Sequence, residues 1–137
     1  MTRAALALAA LSITLASACS EEPAGAPIPE LGVAEVARML EAGDAVAVDA
    51  NGERTRRERG VIPGARLLSS SGSYDPAAEL PADTATTLVF YCGNTDCRAS
   101  DGAAARARDA GYSNVNVMRA GIAGWVEAGQ RVDRPES

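Results

Sequence analysis

At 137 residues, 47% hydrophobic and 23% charged, the chain is long enough for one globular domain and too short for two of ordinary size. All 13 basic residues are Arg; the sequence has neither His nor Lys, and its 18 acidic residues leave a formal charge of −5. This excludes a Ser-His-Asp triad, a Cys-His dyad, His-ligated zinc, a Schiff-base lysine and a P-loop lysine, so any chemistry must use Cys, Asp, Glu, Arg, hydroxyls or backbone amides. An acidic chain with one Trp, three Tyr and one Phe lacks the basic face and stacking aromatics that nucleic-acid binding needs. The expected partners are small molecules or proteins.

Residues 1–19 carry one charge at Arg3, an apolar run from Ala4 to Leu15 and small residues up to Cys19, the pattern of an export signal. The run is too short for a comfortable membrane-spanning helix. Ala16-Ser17-Ala18 followed by Cys19 resembles a bacterial lipoprotein signal, in which the Cys is lipidated and becomes the new N-terminus. Simple cleavage, or retention as a buried helix, are the alternatives. The first two readings place the protein outside the cytoplasm, in a bacterial periplasm or cell envelope. Residues 20–30, with three Pro and no apolar periodicity, read as a solvated tether, and the domain is expected over 31–137.

Val33, Val36, Ala37 and Leu40 follow helical spacing and end at Gly43. Ala45–Ala50 is a short apolar run between turn residues and predicts a buried strand. A polar connection over 52–64 leads to a second short strand at Ala65–Leu68, followed by a Ser/Gly/Pro-rich connection. Thr86–Tyr91, β-branched and aromatic, is the best strand in the chain. Ala99–Ala110 predicts a helix closed by Gly111, Val115–Met118 a further strand, and Ile122–Ala128 a last helix closed by Gly129. Strands alternating with helices at this length imply a mainly parallel sheet with helices on both faces, and sites in such folds form at the carboxyl ends of the strands.

Cys92 directly follows the best strand and precedes Gly93-Asn94-Thr95-Asp96-Cys97-Arg98, after which the helix begins. A strand end, a tight loop and a helix N-terminus meeting at one sulfur favour a thiolate and an anion beside it. Gly93 and Asn94 suit the positive φ angles of a curled loop, and Arg98 adds a permanent planar cation. Asp96 reads as a solvated loop acid or helix cap.

Several pieces in order complete this reading: Val48-Asp49 at a strand end, Ile62-Pro63-Gly64-Ala65, the Tyr91-Cys92 loop, Gly111-Tyr112 with Asn114-Val115, and Gly121-Ile122 with Gly124-Trp125 and Ala128-Gly129. Over about residues 33–132 the chain resembles a rhodanese-like domain. The resemblance implies an α/β fold and a sulfurtransferase cycle. The Cys92 thiolate takes sulfane sulfur from a donor such as thiosulfate, holds it as a persulfide cradled by the amides of residues 93–98, and passes it to a thiol or cyanide. That cycle needs no metal and no organic cofactor. Ile62-Pro63-Gly64-Ala65 and Trp125 are expected to serve the fold. The chain departs from the family pattern at Asn51, where members often carry Arg, at Val61, where they often carry His, at Ala120, and in a Cys92–Arg98 loop one residue longer than usual.

Cys92 and Arg98, separated by five residues, also have the spacing of dual-specificity phosphatases and arsenate reductases, although Ala99 stands where those carry a hydroxyl. Cys97 opens a third reading. If the loop curls, its β-carbon approaches that of Cys92 closely enough for a disulfide, making the protein a redox-gated sulfurtransferase, a thiol oxidoreductase, or an inactive, redox-sensing or protein-binding module. Cys97 is then a resolving or second sulfur-handling thiol, with an inert core Cys as the alternative. Arg54, Arg56, Arg57 and Arg59 form the only dense basic cluster and read either as a steering patch for anions or as a solvated loop balanced by Glu53 and Glu58. Asp49 is expected to be a buried, hydrogen-bonded structural acid.

Overall fold

Short Val-rich and aromatic runs uninterrupted by Gly or Pro make the two central strands. In the computed structural model, which describes residues 25–136, these are β1 (Val46–Asp49) and β3 (Leu88–Tyr91). β2 (Arg66–Leu67) and β4 (Val115–Val117) flank them in the order β2-β1-β3-β4, and every pairing is parallel. Val48 lies opposite Phe90 and Asp49 opposite Tyr91. Strand alternation then divides the core into two layers. Val48, Leu88 and Phe90 pack with Ala103, Ala104 and Ala107 of α4 (Ala99–Asp109). Ala47, Val89 and Tyr91 pack with Val36 of α1 (Val33–Glu41) and with Ile122 and Trp125 of α5 (Gly121–Glu127). The sheet is thus covered on both faces, as the alternation of elements predicts, and Trp125 is the expected core aromatic, its indole donating to the Arg131 carbonyl at 2.9 Å.

Three expectations need correction. The polar connection contains a helix, α2 (Glu53–Arg59), and the Ser/Gly/Pro-rich connection contains a short one, α3 (Pro76–Glu79), started by the Asp75 carboxylate accepting from the Ala77 amide. α2 has no apolar stripe; its stability comes from Arg54–Glu58 and Glu53–Arg57 pairs one turn apart and from one buried residue, Arg56. The expected tether also ends earlier than proposed, because the Pro29 carbonyl and Leu31 amide pair with Val117 and bring residues 29–31 alongside β4. Residues 1–24, which include the expected export signal and Cys19, lie outside the described residues.

The carboxyl ends of β1, β2 and β3 are tied at one buried carboxylate. Asp49, fully buried, accepts from the Asn51 amide at 2.7 Å, the Tyr91 hydroxyl at 2.7 Å and Arg56 Nε at 3.4 Å. The second arm of the Arg56 guanidinium donates to the carbonyls of Asp49 and Leu68, and the Tyr91 oxygen accepts from the Ile62 amide. Burial, and after it the Asp49 charge, push the Tyr91 phenol far above its usual range, so it remains a donor to Asp49. Asp49 is the structural acid that its place at a strand end suggests. Replacing Arg56 by Ala strands the carboxylate in the core and is expected to cost about 3–5 kcal/mol. Arg57→Ala, which breaks only an exposed pair, should stay within about 0.5 kcal/mol of the parent. Urea midpoints of the two variants check this.

Candidate active site

Cys92 follows β3 on the side of the sheet that Leu88 and Phe90 occupy, so its side chain meets α4 in the first core layer. The residue is 2% exposed. Its backbone is aimed by α5: the Ile122 amide donates to the Cys92 carbonyl at 2.8 Å and the Ala123 amide to the Gly93 carbonyl at 3.0 Å, using helix-start donors that have no acceptor within their own helix. Gly121 makes this approach possible. It has φ +64°, and a Cβ there would stand 2.7 Å from the Cys92 oxygen and 2.8 Å from the Asn94 nitrogen.

Beyond Cys92 the loop turns on Asn94, whose side-chain oxygen accepts from the Asp96 amide at 3.1 Å and whose carbonyl accepts from the Cys97 amide at 3.2 Å. Neither Gly93 nor Asn94 has a positive φ, contrary to expectation; the Asn94 side chain makes the turn without it. The result brings Cys97 back onto Cys92, and the two are joined in a disulfide with Cα atoms 6.3 Å apart. The partners differ in access: Cys92 is buried and Cys97 half-buried. Asn94, Thr95, Asp96 and Arg98 are exposed and Gly93 is half-buried.

Ser100, in the first turn of α4 and 1% exposed, places its hydroxyl 3.4 Å from the Cys92 sulfur. A disulfide sulfur carries no proton, so the hydroxyl is the donor. The sulfur therefore lies at the positive end of an eleven-residue helix with a hydroxyl directed at it, two features that favour a thiolate once the disulfide is opened. The Arg98 side chain is 70% exposed, with Nη1 3.5 Å from Asp101. Asp101 also takes a bidentate contact from Arg119 at 2.6 and 2.8 Å, which more than any other influence holds its carboxyl below the usual range. Arg119 reaches on to Glu30 at 3.0 Å, fastening the start of α4 to the residues beside β4.

Asn51 stands on the other side of the loop. Its amide is held by Asp49 while its side chain, 8% exposed, points its oxygen to within 3.8 Å of where a Cβ on Gly93 would be. Its Nδ2 is buried with no hydrogen-bond partner among the described residues. The basic cluster does not form one patch: Arg56 serves Asp49, and Arg54 and Arg57 pair with Glu58 and Glu53 on α2. Two residues of this site, Ser100 and Asn51, do not emerge as functional candidates from sequence reasoning. Ser100 lies one position past the place where a hydroxyl is sought after Arg98, and Asn51 is visible only as a departure from Arg.

The Rhodanese-like domain family profile matches residues 32–128. The chain belongs to this family. No curated protein is significantly similar to it. Among solved structures, a thiosulfate sulfurtransferase from Pseudomonas aeruginosa is 27% identical with a TM-score of 0.64, over 80% of this chain and 21% of that one. RPA3614 from Rhodopseudomonas palustris CGA009, described as a protein of unknown function and possible tyrosine phosphatase, is 25% identical with a TM-score of 0.65, over 80% of this chain and 88% of that one. SseA from Escherichia coli, a 3-mercaptopyruvate sulfotransferase, shares the fold at 18% identity and a TM-score of 0.64, over 81% of this chain and 52% of that one.

Ser100→Ala removes one hydrogen bond to the sulfur, worth about 1 kcal/mol, and is expected to leave the Cys92 thiolate less stabilised. Iodoacetamide alkylation of Cys92 in the reduced protein, followed at neutral pH by mass spectrometry, should slow several-fold. An unchanged rate would remove Ser100 from the site.

Proposed function

We propose that this rhodanese-like protein transfers sulfane sulfur through a persulfide on Cys92. The observation that carries the reading is the Cys92 sulfur itself, buried at the junction of β3 and α4 and hydrogen-bonded by Ser100, in a domain of a family with sulfurtransferase-type relatives. In the reduced protein the Cys92 thiolate attacks the outer sulfur of thiosulfate; the donor S–S bond breaks and sulfite leaves with its electron pair. The new persulfide anion is stabilised by the α4 N-terminus and by loop amides, and Asn51, whose side chain borders Gly93 and whose Nδ2 has no partner among the described residues, offers one further donor. A thiol or cyanide then removes the outer sulfur. No metal or organic cofactor enters the cycle. The N-terminal pattern favours export to a bacterial periplasm or envelope, with Cys19 as lipid anchor.

The Cys92–Cys97 disulfide favours a second reading, a redox-sensing binding module, because it masks the nucleophile. Phosphatase or arsenate chemistry is less well supported, since the Arg98 guanidinium is exposed and engaged by Asp101. Intact-mass spectrometry of the reduced chain before and after thiosulfate separates these readings. The Cys97→Ser variant, in which Cys92 is the one thiol of the site, is expected to gain one sulfur atom and Cys92→Ala none; no gain on a chain whose Cys92 is free, with no sulfite released, would favour the binding module. In steady-state assays Asn51→Ala should raise KM for thiosulfate about 3- to 10-fold, the loss of one hydrogen bond to an anion, with kcat little changed.

A further inference from the structure

We propose that Cys97 is an internal acceptor for the sulfur held on Cys92, so that the domain releases it as sulfide and closes its own disulfide. This rests on the persulfide reading above and adds to it the fate of the sulfur. The disulfide shows that the Cys97 sulfur reaches the Cys92 sulfur within the folded loop. The two cysteines are five positions apart on a turn fixed by Asn94, so their reaction is intramolecular and needs no diffusional encounter. An external thiol has poorer access to the same atom, because Cys92 is 2% exposed and covered by α4.

The step balances without another reactant. The Cys97 thiol passes its proton to the outer sulfur of the persulfide anion and, as the thiolate, attacks Cys92 Sγ; the bond from Sγ to the outer sulfur breaks, and that sulfur leaves with the electron pair as hydrosulfide while the Sγ–Sγ bond forms. The sulfane sulfur is reduced to sulfide and the two cysteines are oxidised to the disulfide. The oxidised structure is the product of this step. A dithiol reductant reopens it for the next cycle, and the burial pattern sets the direction: attack falls on the half-buried Cys97 sulfur, and Cys92 leaves as a thiolate beside the Ser100 hydroxyl and the start of α4. The site then couples sulfane-sulfur reduction to dithiol oxidation, with Cys97 as resolving cysteine.

The test is a single turnover on the full chain carrying Cys19→Ser, so that Cys92 and Cys97 are its only cysteines. The protein is reduced, freed of reductant without oxygen, and mixed with equimolar thiosulfate; sulfite, sulfide and intact mass are followed together. The expected result is one equivalent of sulfite, then one of sulfide, with the protein ending two hydrogens lighter than its reduced form. Cys97→Ser and Cys97→Ala should both release sulfite, keep one added sulfur atom and yield no sulfide above a protein-free control. A parent that releases sulfite but keeps the added sulfur would overturn the internal-acceptor step and leave the transferase reading standing. Sulfide from both Cys97 variants at the parent's rate would also overturn it. Absence of sulfite from the parent and both variants would remove the transferase reading and this inference together.

Discussion

One buried carboxylate organises the end of the sheet on which the site is built. Asp49 binds the residue that follows its own strand, the hydroxyl of the residue opposite it on β3, and the single buried arginine of α2, which in turn holds the last carbonyls of β1 and the chain after β2. A charge pair in such a place is costly to desolvate and is tolerated because the carboxylate accepts three hydrogen bonds and the guanidinium donates three. Its value here is positional. Tyr91, fixed by Asp49 and by the Ile62 amide, is the residue before Cys92, and Asn51, fixed through its amide, is the residue that faces Gly93. The two chain segments that border the sulfur are therefore set by the same oxygen pair.

Once the sulfur is placed, its environment is made almost entirely of dipoles. α5 takes the carbonyls of Cys92 and Gly93, α4 presents its N-terminal end, and Ser100 contributes a hydroxyl. The cation expected beside the loop amides, Arg98, is exposed and shares Asp101 with Arg119. Fixed dipoles in a buried place act more strongly than an exposed guanidinium screened by water and by a neighbouring acid. The loop's extra residue relative to the common family length gives it room to curl Cys97 onto Cys92, and the Asn94 side chain provides the turn that does so.

How much of this was legible depended on whether a feature had a local signature. The central strands, α1, α4 and α5 carry apolar periodicity and glycine stops, and they stand within a few residues of where the sequence places them. α2 carried no such signal, because the residue it buries is Arg56, whose reason for burial is a carboxylate seven positions away in another element. Polar segments whose core contact is an ion pair read as loops. Cys92 was legible from its place after the best strand. Ser100 was not, because its contact to the sulfur arises from the curvature of an eight-residue separation and from the start of α4, neither of which the spacing alone determines. Gly121 was legible as part of a family pattern, yet its physical reason, contact with the Cys92 carbonyl across the sheet end, belongs to tertiary structure.

The amino-acid composition also explains the character of the site. A chain without His or Lys has no side chain of ordinary pKa near neutrality apart from its thiols. Imidazole and lysine side chains are absent, so the composition favours a reaction in which the nucleophile is already an anion and the leaving group departs as one. Sulfur exchange meets that condition: sulfite, hydrosulfide and thiolate all leave with their charge, and each is stabilised by amides and hydroxyls that do not titrate. Phosphate ester hydrolysis fits it less well, because an alkoxide leaving group needs a proton donor, and Asp101, at the start of α4, is held ionised by Arg119. The proposed exchange of one sulfur anion for another therefore suits a His-free, Lys-free sulfur site, with the protein supplying position and a fixed electrostatic field.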